Sequence, residues 1–168
     1  MGYQASGAYT AGAVPTITTG QTAGVSTTLQ DMGGALNAFM AWTAWTPTLT
    51  NFTLGNGTSN CYYTQINKTV WVQAVLNAGS TTLYNASAAT ISLPAAASAS
   101  LHQYLPGFVQ TGSANLPAMI YIANGATAGQ FYVATSSANC TLVAMTNSTT
   151  NPGNTTGGFT FSGCYQAS

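Results

Sequence analysis

The stretch TVWVQAVLN, residues 69 to 77, sends Val70, Val72, Ala74 and Leu76 one way and Trp71, Gln73, Val75 and Asn77 the other. A period of two belongs to a strand, where successive side chains leave opposite faces, so this segment needs a sheet with one fully apolar side. In the preceding run Tyr62, Thr64 and Ile66 alternate as well. Asn67-Lys68 between the two runs suits a tight hairpin, because Asn tolerates a positive φ. Further strand-like runs are Thr46 to Phe52, Ala89 to Leu93, Tyr104 to Gln110, Ala118 to Ala123, Gln130 to Thr135, Thr141 to Met145 and Gly158 to Tyr165. Clusters of Gly, Pro, Asn and Ser separate them, among them LPAAASAS, ANGATAG and NSTTNPGNTTGG. Many short strands at this spacing predict a mainly β chain folded as an antiparallel β-sandwich of jelly-roll-like type.

Upstream of residue 45 the pattern changes. Residues 1 to 25 are rich in Gly, Ala and Thr without sustained periodicity and read as an extended arm that orders only against something else. In STTLQDMGGALNAFMAW, Leu29, Met32, Leu36 and Phe39 recur at three-four-three spacing and share one face of a short helix from about Thr28 to Ala41. Thr28 can cap it, and Asp31 meets the positive end of its dipole. Gly33 and Gly34 each weaken the helix by roughly 1 kcal/mol relative to Ala, so it must pack on something. Either it packs on its own domain, or copies of the chain bundle through Leu29, Met32, Leu36 and Phe39. The expected organisation is an assembly segment, residues 1–45, followed by a β-sandwich domain, residues 46–168.

Charge narrows the chemistry. Charged residues make up 1% of the chain, against about a quarter in ordinary globular proteins, and they reduce to Lys68 and Asp31 with one histidine, His102. At 46% hydrophobic the chain is not composed like a disordered one, and zero net charge favours association. Hydrolysis by paired carboxylates needs two acids, phosphate contacts on nucleic acid need several Lys or Arg, and a metal needs clustered ligands; none of these sets exists. No catalytic, cofactor-binding or metal site is therefore expected. His102 with Cys61, Cys140 or Cys164 is the one arithmetic alternative, and no nucleophile motif surrounds any of them. The three cysteines are expected as free thiols, a disulfide among them being left open.

No apolar run reaches the length of a membrane helix, and the first 25 residues lack the basic start and apolar stretch of a secretory leader, so neither is expected. Seven Asn-x-Ser/Thr triplets, at Asn51, Asn56, Asn67, Asn85, Asn139, Asn147 and Asn154, follow from a composition rich in Asn and Thr. They leave a secreted glycoprotein as a competing reading, against which the missing leader counts.

The run AWTAWTPTLTNFTLGNGTSNCYYTQINKTVWVQAVLNAGSTT, followed by ISLP at 91 to 94, resembles a domain found in virion proteins of tailed bacteriophages. Its order is an aromatic-Thr-Pro-Thr opening, a Gly-Asn-Gly-Thr turn, a Tyr-x-x-Ile-Gly-Lys-x-Val hairpin, a Gly-Ser-Thr segment and a Leu-Pro strand end. FTFSGCYQAS is similar to that family's closing strand, and VPTITTGQTAGVSTTLQDMGGALNA, more loosely, to its leader segments. Asn67 stands where the family has a hairpin glycine, and Asn60-Cys61-Tyr62 where it has Gly-x-Tyr. Members occur in minor tail proteins, fibre tips and head appendages. The resemblance implies a virion component assembled in the host bacterial cytoplasm.

What remains for such a chain is adhesion. Trp42, Trp45, Trp71, Tyr62, Tyr63, Tyr84 and Tyr104 are candidates to stack on sugar rings while Asn, Gln and Thr bond hydroxyls, although most aromatics are expected in the core or between subunits. Tyr84 and Tyr104 are the candidate contacts to a host cell-wall glycan. The leading expectation is a non-enzymatic homotrimeric knob or fibre subunit of the minor-tail, receptor-binding type. Its Leu29, Met32, Leu36 and Phe39 stripe forms the subunit interface, and its arm joins other virion proteins. The alternative is a capsid decoration or head-fibre protein that stabilises the shell without touching a receptor.

Overall fold

The computed structural model describes residues 41–111, 114–135, 141–146 and 157–168. The arm, the helix from Thr28 with its Leu29, Met32, Leu36 and Phe39 stripe, Asp31 and Cys140 lie outside the described residues. The described chain is antiparallel β throughout, in strands β1 (Thr43–Ala44), β2 (Leu49–Thr50), β3 (Phe52–Thr53), β4 (Thr58–Ile66), β5 (Thr69–Asn77), β6 (Leu83–Tyr84), β7 (Thr90–Ser92), β8 (Gln103–Thr111), β9 (Ala114–Ile122), β10 (Ala128–Ala134), β11 (Leu142–Ala144) and β12 (Gly158–Gln166). Among these residues no helix is long and apolar enough to cross a membrane.

The alternation in β5 does what its sequence requires. Val70, Val72, Ala74 and Leu76 are buried, while Trp71, Gln73 and Asn77 are exposed. The β4–β5 hairpin closes at Ile66 and Thr69, and Asn67 takes a φ of 54° in the turn, a conformation that glycine adopts most readily and Asn tolerates. Lys68 is exposed beside it, and its carbonyl accepts a hydrogen bond from the Ala167 N–H at 2.6 Å.

Ten strands form one hydrogen-bonded sheet in the order β1-β4-β5-β12-β8-β9-β10-β7-β2, with β11 also on β10. The closing strand β12 enters the middle of this path and pairs with all nine residues of β5. The sheet must curl. Its end strands stand eight steps apart, roughly 40 Å if flat at about 4.8 Å per step. Yet β1 and β2 are joined by residues 45 to 48 alone, which reach about 18 Å at most. That short strap is bonded at both ends: the Trp45 N–H donates to Cys61 O of β4 at 2.8 Å, and the Ser92 N–H of β7 donates to Thr48 O at 2.8 Å.

Ring contacts report the same curl from inside. Phe131 of β10 and Phe159 of β12 have centroids 5.3 Å apart although β8 and β9 lie between their strands. Around them Leu76, Ile91, Leu105, Ile120, Ile122 and Phe161 are fully or almost fully buried. The small β3–β6 sheet lies over the Phe159 end of this core, with Phe52 stacked on Tyr84 at 4.9 Å and edge-on to Phe131 and Phe159. At the end of β12, the Tyr165 hydroxyl donates to Ala95 O at 2.7 Å and accepts from the Ala95 N–H at 3.0 Å. It thereby ties the closing strand to the segment after β7.

The Gly-Asn-Gly-Thr turn and the Gly-Ser-Thr segment, distant in sequence, interlock. Asn56 Oδ1 accepts from the Thr81 N–H and hydroxyl at 3.0 Å each, and Asn56 Nδ2 donates to Ser80 Oγ at 3.0 Å. Thr82 is buried and donates to Leu54 O at 2.7 Å. Gly55 has a φ of 63°, and a side chain at Gly55 would meet the Thr81 backbone and one at Gly79 the Gly57 N–H, so the two loops approach closely only because both positions lack a Cβ.

Candidate functional site

The outer face of β8, β9 and β10 collects several of the aromatic side chains that the core does not use. On β8, Leu105 and Val109 point inward, so Tyr104 and Phe108 point out and are 55% and 60% exposed. On β9, Leu116, Ala118, Ile120 and Ile122 are buried, which turns Met119 and Tyr121 outward. On β10, Phe131 and Val133 are buried and Gln130 and Tyr132 take the other face. The register sets Tyr104 opposite Tyr121, Tyr121 opposite Gln130, and Met119 opposite Tyr132.

The rings touch in sequence across the strands. Tyr104 and Tyr121 have centroids 5.5 Å apart at 43°, and Tyr121 meets Tyr132 edge to face at 6.1 Å. His102 stacks on Tyr121 at 5.5 Å, and its Nδ1 shares a hydrogen bond of 2.6 Å with the Tyr121 hydroxyl. The phenol donates when Nδ1 carries no proton. These groups enclose an open depression of about 380 Å³ lined by Tyr104, Met119, Tyr121, Tyr132 and Leu142 of β11. A second depression, of about 420 Å³, is lined by Asn77, Phe108, Gln110, Asn115, Gly158 and Thr160.

The two candidate contacts from the sequence part company. Tyr104 stands in the exposed row. Tyr84 packs one ring face on Phe52, its hydroxyl is buried without a hydrogen-bond partner among the described residues, and burial pushes its pKa well above the usual phenol value. It sits with the core aromatics. Of the other aromatics, Trp42, Tyr62 and Trp71 are exposed, whereas Trp45 and Tyr63 pack against the core. Tyr121 and Tyr132 were not singled out by sequence, though a signal was there: each stands between two inward residues, in Ile120-Tyr121-Ile122 and Phe131-Tyr132-Val133.

Among the described residues no three His, Cys, Asp or Glu side chains come together as a metal site. Cys61 and Cys164 are free, Cys61 buried and Cys164 exposed, on strands β4 and β12 that β5 separates. Alternation has placed their sulfurs on opposite faces of the sheet, because Tyr62 points out beside Cys61 while Tyr165 points in beside Cys164. Burial raises the Cys61 thiol pKa, so its reactive thiolate form is disfavoured.

No family model, curated protein or solved structure matches the chain.

Proposed function

We propose that this protein is a non-enzymatic structural subunit of a tailed-bacteriophage virion, a homotrimeric surface knob or fibre subunit of minor-tail type that contacts the host cell envelope. In this reading the two halves of the curled sheet serve as the layers of a β-sandwich. The N-terminal arm joins neighbouring virion proteins, and the helix stripe Leu29, Met32, Leu36 and Phe39 holds three copies together. The exposed tyrosine face meets a neutral glycan of the host wall.

The observation that carries the reading is the interlock of residues 54 to 57 with residues 79 to 82. Two of the motifs behind the resemblance to phage virion domains, the Gly-Asn-Gly-Thr turn and the Gly-Ser-Thr segment, lock onto each other through their side chains and missing Cβ atoms, which supports a shared architecture over chance likeness of a Gly, Asn and Thr rich chain. The aromatic, uncharged outer face adds support for contact with neutral polar surfaces.

Adsorption tests it. Purified protein added to host bacteria is expected to bind the cells and slow adsorption of the phage. Absence of both effects, with loss of filled particles when the protein is deleted, would replace the adhesin reading by capsid decoration.

A further inference from the structure

The geometry points to the depression between Tyr104, Tyr121 and Tyr132 as a binding subsite for one neutral sugar residue of a host glycan, stacked on Tyr104 and bonded at its rim by Gln130 and tyrosine hydroxyls. This rests on the reading of the tyrosine face as a host-contact surface, and it narrows that face to one subsite for a single sugar residue.

Three features of the depression select the ligand. First, it is lined by three tyrosines, Met119 and Leu142, and Gln130 is paired opposite Tyr121 on the neighbouring strand. A pyranose has the matching division, one face of C–H groups and a rim of hydroxyls. Second, Lys68 is the only Lys, Arg, Asp or Glu side chain among the described residues, and it stands in the β4–β5 turn. An anionic or cationic ligand finds no Lys, Arg, Asp or Glu side chain at the tyrosines to offset its desolvation, whereas a neutral polyol does not need one. Third, the platform is held before anything binds. Tyr121 is fixed by the 2.6 Å bond to His102 and by the edge of Tyr132, and strand pairing holds Tyr104 against it, so little side-chain freedom remains to be lost. His102 is thus a positioning residue for Tyr121.

The test is calorimetric titration of the purified full chain with trisaccharides of glucose, galactose, mannose and N-acetylglucosamine, and with trigalacturonate as the anionic probe. Saturable binding of at least one neutral trisaccharide is expected, stronger than that of trigalacturonate. Tyr104→Ala should weaken it about tenfold. Phe108→Ala, in the other depression, should leave it within about twofold. Binding that survives Tyr104→Ala, preference for trigalacturonate, or no binding of any neutral trisaccharide each overturns the proposal. If wild-type protein still adheres to host cells in the last case, only the sugar subsite fails; if adherence is absent too, the host-contact reading fails with it. Should Tyr104→Ala instead abolish self-association seen by sedimentation, with no sugar bound by the wild type, the face is an interface between copies and the proposal is wrong.

Discussion

At the scale of single residues, the polar groups that matter most are neutral and turned toward the backbone. Tyr165 brackets Ala95 with one donated and one accepted bond, so Tyr165→Phe leaves a part-buried N–H and C=O without that partner. The expected loss in urea unfolding is about 1–3 kcal/mol. The same phenol predicts an alkaline limit. Burial, with Tyr63 adding to it and the Ala95 bond opposing it, pushes its pKa from 10.0 to about 12, and burial pushes Tyr84 in the same direction. Both groups then keep protons in the folded chain that the unfolded chain releases, so stability is full below pH 10 and falls as pH climbs through 12. Measured between pH 9 and about 12, the decline should be shallower in Tyr165→Phe; a stability that rises with pH there would contradict the assignment. Lys68, by contrast, is an exposed turn residue, and Lys68→Ser should change unfolding stability by less than about 0.5 kcal/mol.

At the scale of elements, strands were legible and their neighbours were not. The alternation of Val70 to Leu76 located β5 and its inward face because a buried strand face leaves a period of two in the sequence, and Asn67 marked the hairpin because few residues accept a φ of 54°. β1 and β6 were missed: each has two residues, too short to show a period, and each exists only through a distant partner, Thr43 with Tyr63 and Leu83 with Thr53. The same limit hid the placement of Tyr84, whose ring is claimed by Phe52 across that short pairing. It also hid the entry of β12 between β5 and β8, which local pattern does not encode. The loop interlock is an element of this non-local kind. Asn56→Ala removes its three side-chain bonds to Ser80 and Thr81, and is expected to cost about 1–2 kcal/mol and to speed amide exchange at residues 79 to 82 selectively. Unchanged exchange there would show that the glycine contacts alone hold the loops.

At the largest scale, among the described residues, a nine-strand path is curled until a strap of four residues joins its ends, apolar residues fill the inside, and Lys68 is the one Lys, Arg, Asp or Glu side chain on an outside of mostly polar and aromatic groups. A surface of this kind repels neither its own copies nor a neutral polymer, which is why the proposed function divides the labour between the N-terminal segment and the tyrosine face. Replacing Leu36 and Phe39 together with Asp should leave the sheet folded by circular dichroism while the proposed trimer dissociates in sedimentation; a double mutant that stays trimeric would move the subunit interface into the sheet. The most direct test of the account is a cryo-electron microscopy reconstruction of the assembled particle. It should show the Tyr104, Tyr121 and Tyr132 face open to solvent on the particle exterior, with neighbouring subunits held through the N-terminal segment. A reconstruction in which that face is covered by the shell or by another copy would contradict it.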